Sequence, residues 1–597
     1  MHWTQNYAPF PDSPVLSTVC AALPVVVLLG SLATGRVSAH VAALAGLVTA
    51  VLVAVFVFTP QEASWEDWAS AEGVAGWGIT VLTAVANGGA FGLFPIGWIV
   101  LAAIFLYSLT VETGRFEIVK HSVISLSSDR RIQALLIAFC FGAFVEGAAG
   151  FGTPVAISAA LLMGAGFRPL HAAGLALIAN TSPVAFGALG TPITTLAKVS
   201  LPAGADADAW AMQISRMAGR QLPFFSLLVP AWLVWTMAGW RGVVGVWPAL
   251  LVCGGSFALV QFLTANYVGP ALVDVAGGLV SLAALALFLR VWQPARTWQF
   301  AEEPPHPNPS PPSTGERGFE QAVGPHTPNG EAEYSRKQII DAWVPWLFLS
   351  LFVFLAGIPQ IRDWLNGISI LEIEVEGLHN RVSRAFPVVP RPTPEEAIFK
   401  LNWLSATGTA IFVSAILTAF WLRIPPQRFL HIFGKTCYRM RWPLFTIACM
   451  LALAYVTRYS GVDATLGLAF THTGWIYPFF AALLGWLGVA LTGSDTSSNA
   501  LFGSLQKITA QKLYGSGILP VGGETQAVLL LTTANSTGGV MGKMIDAQSI
   551  VVSAAATQQP GQEGAILRFV FWHSLALAIL MGLLVMAQAY ILTWMIP

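Results

Sequence analysis

Glu146 stands in "FVEGAAGFGTP" (144–154) and Asp495 in "LTGSDTSSNALFGS" (491–504), two carboxyls set into long apolar stretches. A carboxyl in a poorly hydrated place loses the solvation of its ionised form, so it is suited to taking up and releasing a proton. The competing role is structural: an acid at a helix start accepts backbone N–H groups and stays ionised. The neighbours weigh the two. Glycine, alanine, valine and phenylalanine surround Glu146, which favours a proton site; Ser494, Thr496, Ser497, Ser498 and Asn499 crowd Asp495 with donors and caps, so both roles stay open there.

Each acid is followed by a second polar interruption. Asn180, Thr181 and Ser182 open "NTSPVAFG" 34 positions after Glu146, and Asn535, Ser536 and Thr537 open "NSTGGVMG" 40 positions after Asp495. Pro183 in the first, and Gly538 and Gly539 in the second, predict a break in the helix. Such residues can simply re-satisfy a kinked helix. Their recurrence at a similar distance from an acid favours a binding site. The start of each second half-helix would turn free N–H groups and a positive dipole end toward a carboxylate. Lys198 and Lys543 follow the breaks and are expected to snorkel at a membrane face. His171, beside Arg168, reads as interfacial rather than as a proton relay.

The elements that must position these residues are membrane helices. Of 597 residues 55% are hydrophobic and 10% charged, against roughly 25% charged in soluble domains. Runs of membrane-spanning length recur: Val15–Thr34, Ala39–Phe58, Leu93–Thr110, Leu222–Gly239, Val243–Leu263, Ala271–Leu289, Ala342–Ile358, Leu404–Leu422 and Leu567–Ile596 are the plainest. With the interrupted segments, the expectation is an all-α polytopic membrane protein of about 12–14 membrane elements. The first Lys or Arg is Arg36, so Val15–Thr34 reads as a retained span rather than a signal peptide. The zero net charge points to no nucleic-acid partner, and the five cysteines, without CxxC or Cys/His spacing, read as small core residues rather than a metal site.

Gly147, Gly150, Gly152 and Pro154 are too dense for a continuous helix, and the arms 132–145 and 155–164 are short. The expectation is a re-entrant hairpin with Glu146 near its tip, and a matching hairpin at 492–500. Basic loops at 112–131 and 423–441, placed inside, put the acidic loop 59–76, the loop 359–400 and both termini outside. Span order and charge then predict two inverted-topology repeats, 1–242 and 343–597, joined by spans 243–292 and a Pro-rich cytoplasmic linker 293–342 read as disordered. The predicted chamber draws Gly150, Gly152 and Thr153 from one hairpin, Ser494, Thr496, Ser497 and Asn499 from the other, and the Asn-Ser/Thr residues of both breaks, around Glu146 and Asp495.

"FVEGAAGFGTPVAI", "NTSPVAFGALGTPI", "LTGSDTSSNALFG" and "ANSTGGVMGKMI", in this order over nearly the whole chain, resemble the bacterial L-lactate permease family, which includes glycolate permeases. The resemblance implies a multi-pass inner-membrane proton symporter of L-lactate, D-lactate and glycolate, with no cofactor. The Pro-rich stretch 301–330 departs from the family pattern and reads as a dispensable insertion. A sodium-coupled carboxylate transporter and an anion channel are the alternatives. An enzyme is disfavoured by the lack of a metal-ligand cluster, HExxH, G-x-S-x-G or phosphate loop.

Overall fold

The computed structural model describes residues 2–34, 37–63, 70, 73–119, 127–150, 152–202, 205–300, 334–389, 391–471 and 473–597. Among these, ten helices are long and apolar enough to cross a bilayer, or up to eleven if the bent pair Pro169–Ala179 and Val184–Ser200 is one span. That count is of full-length spans, and short or interrupted elements stand outside it. Thr153–Gly164 and Thr407–Trp421 are apolar but short. Val74–Phe91 and Trp98–Glu112 run into one another through a kink at Phe94, where Pro95 follows and φ is −139°.

The basic stretch expected as a loop at 423–441 is mostly helix. Pro426–Ser460 is one helix of 35 residues, roughly 52 Å at about 1.5 Å per residue, longer than a hydrocarbon core. Its first turns carry the cations clear of the apolar part. There Lys435 pairs with Glu112 at 2.9 Å and Arg428 donates to the Glu112 carbonyl at 2.6 Å. The end of the 98–112 helix and the second basic stretch therefore share a face of the molecule.

The C-terminal end of Pro426–Ser460 meets a small β-built cap, an addition to the helical chain. Trp3–Thr4 pairs in parallel with Val382–Arg384, which pairs antiparallel with Thr393–Pro394; Leu371–Glu374 pairs antiparallel with Ile398–Leu401. "LEIE" has the period-2 alternation of a strand rather than a helical repeat. Glu395 fastens the cap. Its carboxylate takes Arg458 at 2.7 Å and also pairs with Arg384. Burial alone would push this carboxyl up, but Arg458 and Arg384 outweigh it and hold it below the usual carboxylate range. A depressed folded-state value stabilises above the unfolded pKa of about 4.3 and fades as pH falls through the lower folded value. Glu395→Gln is thus expected to cost about 1–3 kcal/mol at pH 7. The gap in melting temperature between variant and wild type should narrow as pH falls below about 4.3 and close only below the lower folded value; a gap independent of pH would deny the ion pairs this role.

The linker is narrower than expected. Residues 301–333 lie outside the described residues, but Trp298 accepts from the Arg130 amide and donates to Asp129, and Arg131 reaches the Arg296 carbonyl, so 296–298 is docked. On the far side, a Ser335–Gln338 capping box starts helix Arg336–Gly357.

Close helix crossings hold the second half together. A Cβ on Gly485 would lie 1.8 Å from the Asn535 carbonyl oxygen, and one on Gly538 would lie 2.0 Å from that of Ala482. Helices Tyr477–Thr492 and Glu524–Gly542 therefore touch backbone to backbone, as small residues permit inside a membrane.

Candidate functional site

Glu146 lies near the end of helix Gly142–Ala149. Gly150 (φ 62°) ends that helix and Gly152 (φ 82°) precedes Thr153–Gly164, so both glycines occupy left-handed backbone that other residues resist. The two short helices pack on one another across this turn. Glu146 is 3% exposed. Its Oε1 rests against Gly187, where a Cβ would come within 2.6 Å, and its Oε2 has no hydrogen-bond partner among the described residues. The chain bends by 63° between Pro169–Ala179 and Val184–Ser200. In the bend, both polar atoms of the Asn180 amide and the Ser182 hydroxyl are buried without a hydrogen-bond partner among the described residues, as is the Thr153 hydroxyl nearby in sequence to Glu146. Thr181 donates back to the Ile178 carbonyl at 2.8 Å.

Asp495 is built differently. Ser494 is the helix cap, accepting the Ser497 amide, and Asp495 is free for side-chain contacts. Its Oδ2 accepts from Ser536 at 2.5 Å and from Asn499 at 3.3 Å, while Oδ1 has no partner among the described residues and lies where a Cβ on Gly539 would approach to 2.3 Å. Each acid is thus pressed onto a glycine downstream of the following Asn-Ser/Thr triplet, Gly187 or Gly539.

The second break is not where the glycines suggested. Glu524–Gly542 is continuous through Asn535, Ser536 and Thr537, and the chain turns at 543–546 before helix Ala547–Ala556. Gly538 and Gly539 serve close approach, to Ala482 and Asp495, and not flexibility. Asn535 sits behind the acid, donating to Asn499 at 2.9 Å and accepting from Gln506; Thr537 donates to Gln221.

Lys543, expected at a membrane face, is buried. Its ammonium donates to the Gly493 carbonyl at 2.7 Å and pairs with Asp546 at 2.9 Å. Asp546 also caps helix Ala547–Ala556 by accepting the amides of Gln548 and Ser549. Lys198 does lie exposed.

These pieces line one small, partly open cavity between the halves of the chain. Glu146, Gly150 and Gly187 line it from the first half, and Ser494, Asp495, Thr496 and Lys543 from the second. Of the expected site residues, Gly152, Thr153, Asn180, Thr181, Ser182, Asn499, Asn535, Ser536 and Thr537 are not on its wall. Ser497 lines a second cavity, roomier than the first, together with Arg458 and Asp463. The wall of the first cavity combines an ammonium, which suits a carboxylate, with two carboxyls each keeping one unpartnered oxygen. Sequence reasoning underrated Lys543 and passed over Asp546; an i,i+3 Lys–Asp pair beside a polar helix segment was the available signal. It also passed over Asp274, a lone acid in the apolar run Ala271–Leu289.

The sequence model of a family described as L-lactate permease matches residues 17–592. A glycolate permease of Escherichia coli K12 is 45% identical over 601 residues, covering 100% of this chain and 99% of that protein. An L-lactate permease of the same strain is 42% identical over 600 residues, covering 100% of both. One from Bacillus subtilis 168 is 42% identical over 616 residues, again covering 100% of both.

Proposed function

The chain belongs to the L-lactate permease family, a multi-pass membrane permease rather than an enzyme, and from that premise we propose a bacterial inner-membrane symporter that carries L-lactate, D-lactate or glycolate into the cell together with a proton. One observation carries the reading. A single cavity between the two halves of the chain brings Glu146, Asp495 and Lys543 to one place. The substrate carboxylate would bind the Lys543 ammonium, its 2-hydroxyl would reach Ser494 or Thr496, and Glu146 would hold the co-transported proton. With the proton and the anion both aboard, the moving unit crosses the membrane interior with its added charges cancelled, which lowers the cost of transit. Two oppositely oriented repeats, with Gly142–Gly164 and Tyr477–Gly515 as hairpins, would allow the site to face each side in turn. The matching order of acid, Asn-Ser/Thr triplet and glycine in both halves supports that arrangement.

Uptake into proteoliposomes tests the reading. Lactate should accumulate against its gradient when only a pH gradient is imposed, without sodium. Accumulation that requires Na⁺ would replace the proton with sodium, and uptake that stops at electrochemical equilibrium without counterflow would make the chain a channel. Lys543→Gln is expected to raise the half-saturating lactate concentration at least about tenfold, since a hydrogen bond to a charged group contributes about 1.5–3 kcal/mol. Unchanged affinity in exchange assays would move the carboxylate elsewhere.

A further inference from the structure

Asp274 is the second residue of helix Val273–Phe288, and it is fully buried. Neither carboxyl oxygen has a hydrogen-bond partner among the described residues. It therefore does not cap its own helix, the usual structural use of an acid in a first turn, because a cap would accept an amide. No salt bridge among the described residues includes it. A buried acid without a partner is costly as an anion and demands an explanation.

The surroundings supply one. The Asp274 helix packs against the Glu146 helix at two glycines. A Cβ on Gly147, the residue after Glu146, would lie 2.8 Å from the Asp274 Cβ and 2.6 Å from the Val275 amide, and one on Gly278 would lie 2.5 Å from the Phe144 amide. These contacts set Asp274 against the residue next to Glu146, so the two acids share one helix crossing. The other titratable groups on elements packed against this helix are Cys140, Cys253, Tyr267 and Lys198. Tyr267 and Lys198 are exposed, and the two cysteines lie against each other, Sγ to Sγ 3.4 Å. Glu146 is thus the group whose charge Asp274 feels. Glu146 lines the cavity and Asp274 does not.

We propose that Asp274 is a positioning residue for the transported proton, sharing it with Glu146 so that the pair is never doubly ionised. The coupling acts through charge rather than through a shared hydrogen bond: when one carboxyl takes a proton from the medium and forms its O–H bond, it loses the charge that holds the proton on the other. An ionised Asp274 makes Glu146 keep its proton; when the proton sits on Asp274, Glu146 is left free to ionise toward Lys543. Like charges held together cannot both persist in a dry site.

The inference rests on the proton-symport reading, and the test separates them. Wild-type protein, Asp274→Asn and Asp274→Glu are reconstituted and compared for lactate exchange, pH-gradient-driven accumulation and the pH profile of uptake. Asp274→Asn should retain exchange, while the midpoint of its uptake profile moves to lower pH by at least about half a unit. Asp274→Glu keeps a carboxyl at this position and should keep coupling, with a midpoint displaced from wild type because its carboxyl sits one methylene further out. A wild-type protein that accumulates lactate on a pH gradient, beside an Asp274→Asn whose midpoint is unmoved or moves upward, overturns this inference alone. A wild type that fails to accumulate overturns the symport reading and takes this inference with it. If Asp274→Asn does not fold, Asp274→Glu decides: a displaced midpoint supports the pair, and a wild-type profile overturns it.

Discussion

With Glu146→Gln, lactate accumulation driven by a pH gradient should collapse while lactate–lactate exchange continues. In one-to-one symport a gradient of one pH unit sustains an accumulation of about tenfold, equivalent to about 1.4 kcal/mol; the variant should bring this to about one. The substitution keeps the size of a side chain that is 3% exposed and pressed onto Gly187, so the fold is retained. What it removes is the ability to gain and lose a proton. Exchange needs no net proton movement and should survive. Accumulation at the wild-type level would remove Glu146 from coupling. Asp495→Asn is the contrasting case. The Asp495 carboxylate accepts from Ser536 and Asn499, and an amide keeps only part of that acceptance, so a loss of stability of about 1–3 kcal/mol is expected. If Asp495→Asn abolished accumulation while Glu146→Gln did not, the proton would travel on the second acid.

Adding one methyl at Gly485 should be the most disruptive small substitution in the second half. Its Cβ would stand 1.8 Å from the Asn535 carbonyl oxygen, so the two helices would have to part by on the order of 1 Å or more to restore ordinary contact. Overpacking usually costs about 1–3 kcal/mol, and here the obstacle is backbone, so Gly485→Ala should cost about 3 kcal/mol or more. The damage would reach the site, because the displaced helix carries Asn535 and Ser536, whose side chains hold Asn499 and Asp495. Thermal melting in detergent measures the loss. Gly89→Ala, with nothing within 4 Å of its Cβ, is the control and should stay within about 0.5 kcal/mol of wild type. Equal melting temperatures for the two variants would show that the crossing at Gly485 yields freely.

The same contacts change what the asparagines are for. Asn535 is bonded to Asn499 and Gln506 behind the cavity wall, so Asn535→Ala is expected to lower stability before it lowers lactate affinity. The reverse order, weakened binding at full stability, would bring Asn535 back to the substrate.

The membrane class, most of the spans and the two acids were legible in the sequence, since apolar run length and the rarity of buried charge are local properties of the chain. So was the turn after Glu146, because three glycines and a proline within eight positions are too dense for a continuous helix, and Gly150 and Gly152 can take the positive φ that the turn uses. Which polar residues share a cavity was decided only in three dimensions. Gly538 and Gly539 read alone as a break, yet they lie inside an unbroken helix, because a glycine that admits a neighbouring backbone looks the same in sequence as one that ends a helix. Lys543 read as a surface marker, yet the turn at 543–546 folds it inward onto Gly493 and Asp546. Asp274 and Glu146 lie 128 positions apart, and no local pattern announces that two glycines let their helices touch. Burial cost is written residue by residue along the chain; the pairing that offsets it depends on which helices meet.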